Sequence, residues 1–144
     1  MSIIKKRVIE PAYIGCGEQW ERGAIGQGIW TGVPLSSLLQ MAGMKPLARE
    51  VVAEGWDEGH RPDMPGSFPY ARSLPISKAM HPDTLIAYAY NGQPLTYRHG
   101  FPLRLIVPHW YAMASVKWVR RIIVTSDAFQ GPFQRLPAEF LGAI

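Results

Sequence analysis

Apolar residues come in short bursts, cut by glycine and proline every few positions. From Lys6 to Ile14 the pattern is short and β-like, and the glycine-rich stretch that follows, as far as Gly28, reads as a loop. Leu35, Leu38, Leu39 and Ala42 recur at helical spacing, which predicts a helix over 35–42. Pro34 suits its first turn and Gly43 its C-terminal stop. Val51 to Glu54 predicts a short strand. The glycine, proline and charge between Trp56 and Phe68 predict a surface loop that rims a site. Pro75 to Met80 fits one or two helical turns, stopped before Pro82. Thr84 to Tyr90 reads as a buried strand ending at the Asn91-Gly92 turn. Leu103–Val107 and Val116–Val124 are the remaining strands, with Leu103, Leu105, Val107, Trp118 and Ile122 assigned to the core. The tail after Phe133 shows no readable partner.

With 144 residues the chain is expected to be one domain, 1–144. The 13 prolines and 14 glycines are spread along it, which argues against a helical bundle and for an α+β domain with an irregular mixed sheet and short helices. Apolar residues at 47% against 18% charged exclude a disordered chain. The single cysteine, Cys16, excludes an internal disulfide and a multi-cysteine metal site built from this chain. No apolar run approaches the ~18 residues of a membrane span, and the N-terminus lacks a secretion signal. A cytoplasmic location is the default expectation, with a periplasmic one if a native N-terminal segment is missing.

The densest chemistry lies between His99 and Arg121. An imidazole, a guanidinium (Arg104) and an ammonium (Lys117) surround a strand that ends at Pro108, an arrangement suited to gripping an anion. The net charge of +4 is compatible with that but does not require it. Solvated strand residues are the plainer reading of the same side chains. Arg120, Arg121 and Lys117 also interleave with Trp110, Tyr111 and Trp118, as stacking platforms for nucleic acid do. The alternation buries the tryptophans in a strand and no recognition motif accompanies them, so no nucleic-acid partner is expected. Gly23, Gly26 and Gly28 follow the order G-x-x-G-x-G, which is not the dinucleotide fingerprint. G-x-S-x-G, H-E-x-x-H and P-loop motifs are absent.

Five ordered blocks carry a resemblance: Trp30-Thr-Gly-Val-Pro-Leu35, Tyr70-Ala-Arg-Ser-Leu-Pro75, Asn91-Gly-Gln-Pro-Leu95, His99-Gly-Phe-Pro-Leu-Arg104 and Ser115-Val-Lys-Trp118. From about Trp20 to Phe133 the chain resembles the sulfite oxidase family of molybdopterin oxidoreductases. That resemblance implies a molybdenum-molybdopterin cofactor, a pyranopterin dithiolene holding the metal. Its pterin and phosphate would be contacted by His99, Arg104, Ser115, Val116 and Lys117, with Gly55 allowing close backbone approach. It also implies Tyr70 beside the metal as a catalytic phenol. Arg72 would ease its proton loss or bind an anionic substrate. Asp57, Glu58, His60 and Arg61 would shape the entrance.

The resemblance further implies oxygen-atom transfer to or from a small oxyanion or sulfoxide. An electron-transfer partner such as a cytochrome and a homo-oligomeric state go with it. The chain departs from the family where it matters for the metal. The Cys-Ala/Ser-Gly-Asn motif that supplies the molybdenum thiolate upstream of Trp20 is absent. Cys16, four residues before Trp20 as in methionine-sulfoxide-reductase relatives, is the candidate replacement. The domain reads as an N-terminally truncated form, and the alternative function is a catalytically inactive member retaining only fold or anion and cofactor binding.

Overall fold

Two antiparallel sheets, joined through one short strand, make the framework. The computed structural model describes residues 4–11 and 25–134. The first sheet contains β1 (Ile4–Pro11), β2 (Ile25–Pro34), β5 (Leu85–Tyr90), β6 (Gln93–Pro94) and β7 (Arg104–Ile106). Its order is β1-β2-β5-β6, and β7 pairs with the other end of β5. The second is a β4-β3-β8 sheet built from β3 (Glu50–Arg61), β4 (Met64–Pro75) and β8 (Val119–Thr125). Two short helices, α1 (Leu35–Met41) and α2 (Ile76–Ala79), complete an α+β architecture. None of the described helices is long and apolar enough to cross a membrane.

The main core lies between the sheets. Leu35 and Leu39 of α1, Val51 and Ala53 of β3, Leu74 of β4, Ile86 of β5, and Leu105 and Val107 pack together there with Val116 and Val119. A smaller cluster gathers Trp30, Leu85, Ala87, Leu95 and Ile106, with Tyr90 against it. On β3, Glu54 is buried and accepts from Arg120 Nε at 2.7 Å and Arg121 Nη2 at 2.9 Å, clamping β3 to β8. Burial raises its carboxyl pKa, but the two guanidinium hydrogen bonds outweigh that and hold it below the ordinary carboxylate value.

Helix α1 matches the spacing of its leucines, ending at Met41 with Ala42 as its C-cap and Gly43 at φ 70°. Pro34 is the cap residue and not the first helical residue. Helix α2 and strand β5 also stand where the pattern placed them. Three expectations are corrected. The glycine-rich stretch is already strand from Ile25, because backbone pairing with β1 needs no side chains and Gly28 makes room for the Tyr90 ring. Trp56–Phe68 is not a loop but the outer part of the β3–β4 hairpin. There both faces are largely exposed, so no apolar alternation marks the strands. Leu103 is exposed and Trp118 half-buried at φ 48°, so neither belongs to the core as Leu105 and Val107 do. Of the tail after Phe133, residues 135–144 lie outside the described residues; Gln134 Oε1 accepts from Ser73 N at 3.2 Å, and Phe133 itself packs 5.3 Å from Tyr70.

The register of β2 on β5 breaks between Thr31 and Gly32. At Gly32 a Cβ would collide with the Ile86 carbonyl, whereas at Gly26 it would meet nothing within 4 Å. Gly32→Ala is therefore expected to destabilise the fold by about 1–3 kcal/mol through overpacking. Gly26→Ala should be neutral or stabilising by a few tenths. Urea unfolding of the two variants checks the contrast.

Candidate functional site

The strand that joins the sheets also assembles the site. Leu105 N donates to Val116 O at 2.8 Å and Val119 N to Leu103 O at 2.9 Å. Residues 103–107 thus run alongside 115–119, and Arg104 comes to face Lys117. Arg104 is buried at 8% exposure, its guanidinium 4.9 Å from the Trp30 ring. Trp30 lies 4.5 Å from Tyr90, and Tyr90 stacks on His99 at 4.9 Å. His99 Nδ1 is also hydrogen-bonded to Thr96 Oγ1 at 2.7 Å, which fixes the ring.

Lys117 extends over the Trp118 ring at 4.4 Å and donates to the Arg98 carbonyl at 3.4 Å. Two glycines press on it. A Cβ on Gly100, which sits at φ 101°, would lie 3.0 Å from Lys117 Cβ, and one on Gly55 would lie 2.8 Å from Lys117 O. Burial depresses the Lys117 pKa, the Arg104 charge depresses it further, and Asp57 partly offsets both. Two like charges held this way favour an anion that answers both.

A second set of groups lies on β4. Tyr70 Oη donates to Met113 O at 2.6 Å. Arg72, two residues along the strand, donates to the Phe133 carbonyl and lines a cleft of about 540 Å³ with His109, Trp110, Tyr111, Met113 and Ala114. Burial raises the Tyr70 pKa; Arg72 pulls it down and Asp57 pushes it up.

Asp57 links the two sets, and the sequence reading gave it no more than a place on the entrance rim. Between the pairs Glu54–Ala71 and Glu58–Pro69 the strand β3 carries Gly55, Trp56 and Asp57 opposite Tyr70 alone. This irregularity folds the Asp57 carboxylate back over Gly55. Oδ1 is buried with no hydrogen-bond partner among the described residues, and burial raises the Asp57 pKa. Its charge acts on both Tyr70 and Lys117. The available signal was an acid two residues after a glycine at the end of an apolar strand.

Of the expected cofactor contacts, His99, Arg104 and Lys117 converge and Gly55 approaches Lys117. Ser115 and Val116 turn their side chains inward. Ser115 is buried with Oγ accepting from Val107 N at 3.1 Å, and Val116 is a core residue, so each has only backbone to offer. Glu58, His60 and Arg61 lie along the hairpin instead, bonded to Ser67, to the Gly66 carbonyl and to Asp63. Cys16 is outside the described residues. Among those described, no group of three His, Cys, Asp or Glu side chains is placed to hold a metal.

The profile of the oxidoreductase molybdopterin binding domain matches residues 6–133. The chain belongs to that family. Mitochondrial sulfite oxidase of Drosophila melanogaster is 37% identical over 122 residues, covering 83% of this chain and 20% of the relative. An inducible nitrate reductase of Glycine max is 38% identical over 121 residues, covering 79% of this chain and 13% of the relative. Among solved structures, the sulfane dehydrogenase SoxCD from Paracoccus pantotrophus aligns with a TM-score of 0.74 at 32% identity, covering 88% of this chain and 33% of that one. The chain thus spans a third or less of these relatives. The family's cofactor is an anion, and the Arg104–Lys117 cradle with its two close glycines fits a phosphate.

Because the Lys117 pKa is depressed on folding, the unfolded chain holds that proton more tightly. Stability should therefore rise with pH in the alkaline window below 10.5, the ordinary lysine value. In the cofactor-free chain, Lys117→Met should keep or raise the melting temperature at pH 7 and flatten this slope. Thermal melts across that window read both effects.

Proposed function

We propose that this domain clasps the pterin and phosphate of a molybdenum cofactor and serves an oxidoreductase of the sulfite oxidase type. The reaction moves an oxygen atom and two electrons between a small oxyanion or sulfoxide and an electron carrier such as a cytochrome. The convergence of buried Arg104 with Lys117 carries this reading. Relatives that are sulfite oxidases and nitrate reductases do not favour the alternative of an inactive remnant.

When bound, the group supplies a redox metal that exchanges an oxygen atom and two electrons with substrate. The chain's own residues orient and neutralise. Arg104 presents a rigid fork of donors to phosphate oxygens, and Lys117 adds a mobile point charge. His99, held by Tyr90 and Thr96, would contact the pterin. Tyr70, its pKa raised by burial, stays a phenol near neutrality; its single O–H, which here donates to the Met113 carbonyl, would turn from that carbonyl to donate to the oxygen being transferred. Arg72 attracts the anionic substrate. Cys16, or a thiolate from a partner, would ligate the metal.

Protein made in a host that synthesises the cofactor tests this. Arg104→Gln is expected to lose most of its pterin, whereas Cys16→Ser should lose molybdenum specifically. Tyr70→Phe should keep both and lose on the order of 10²-fold in turnover. Full pterin content in Arg104→Gln would contradict the proposal.

A further inference from the structure

The cleft beside Arg72 is larger and more apolar than an inorganic oxyanion needs. Its volume of about 540 Å³ falls in the range of pockets for organic ligands. One wall offers the Arg72 guanidinium, of whose five N–H donors Nη1 goes to the Phe133 carbonyl. The others present Trp110, Tyr111 and Met113, which are 37%, 52% and 40% exposed, with His109 at the edge.

This aromatic wall is fixed in place. Lys78 Nζ donates to the Pro108 carbonyl at 2.8 Å and lies 5.9 Å from the Trp110 ring. His109 takes a φ of 68°, which turns the chain between Pro108 and Trp110. On the far side, the Met113 carbonyl is tied to Tyr70 Oη. The cleft wall is therefore one hydrogen bond from the phenol assigned above to oxygen transfer, though Tyr70 does not itself line the cleft. A bare oxyanion would occupy Arg72 and leave the rings in water. An anion with an apolar body would cover both.

We propose that this cleft takes an organic anion, an oxyanion group against Arg72 with an aromatic or aliphatic body against Trp110, Tyr111 and Met113. The inference rests on the reading of Tyr70 for its place in catalysis, but binding itself requires no cofactor. It narrows the substrate to an organosulfur or similar organic compound.

Isothermal titration calorimetry of the full chain with benzenesulfonate and with sulfate tests it. Benzenesulfonate is expected to bind one per chain, roughly tenfold more tightly than sulfate, since covering one aromatic wall is worth about that factor. Trp110→Ala should remove this preference, and Arg72→Gln should weaken both anions. Met113→Gln, which leaves the Lys78–Trp110 contact in place, should reduce the preference in a chain that folds normally. Equal affinity for the two anions, or a preference that survives Trp110→Ala and Met113→Gln, would overturn the proposal. Pterin content separates this from the cofactor reading. Absent selectivity with normal pterin loading defeats only the cleft; selectivity without pterin loading supports the cleft and defeats the cofactor reading.

Discussion

The site depends on one backbone ladder, the run of 103–107 alongside 115–119. Strand β7 pairs with β5 in the first sheet, while Leu103 and Leu105 bond to Val119 and Val116 on the approach to β8 in the second. These bonds hold the two sheets at a fixed offset. They also force Arg104 and Lys117 onto facing positions, because side chains along paired extended segments have no freedom of register once the core residues between them are buried. Leu105, Val107 and Val116 supply that burial.

Electrostatic tension follows from this arrangement. A buried guanidinium beside a partly buried ammonium is unfavourable in an empty fold, and a carboxylate such as Asp57, itself raised in pKa by burial, offsets it only in part. Such strain is what a site evolved for a charged ligand carries before the ligand binds. The bulge of β3 opposite Tyr70 extends the same logic, since it brings the Asp57 charge within range of both Lys117 and the Tyr70 phenol.

The parts legible in the sequence were those with strong local signals. The leucine spacing of α1, the apolar run of β5 and the Asn91-Gly92 turn each determine their own structure. The basic residues of two ordered blocks, Arg104 and Lys117, also stand close enough for one charge to act on the other. What was hidden depends on partners distant along the chain. β2 is strand at Gly26 and Gly28 because β1 and Tyr90 are there to receive it. The outer hairpin carries no apolar period because neither face meets the core. Val116 sits within a binding motif yet its side chain serves the core, a distinction that only the strand's facing direction reveals. Asp57 was visible as a residue but not as a link, since the register slip that turns it inward is a property of the β3–β4 pair.

The central claim is that Arg104 and Lys117 together grip a phosphate. Comparing the affinity of the cofactor-free chain for the phosphorylated pterin and for its dephosphorylated form measures this directly. The account predicts that the phosphate contributes at least about tenfold at low ionic strength, with the difference shrinking as salt rises. Equal affinity for the two forms would contradict it.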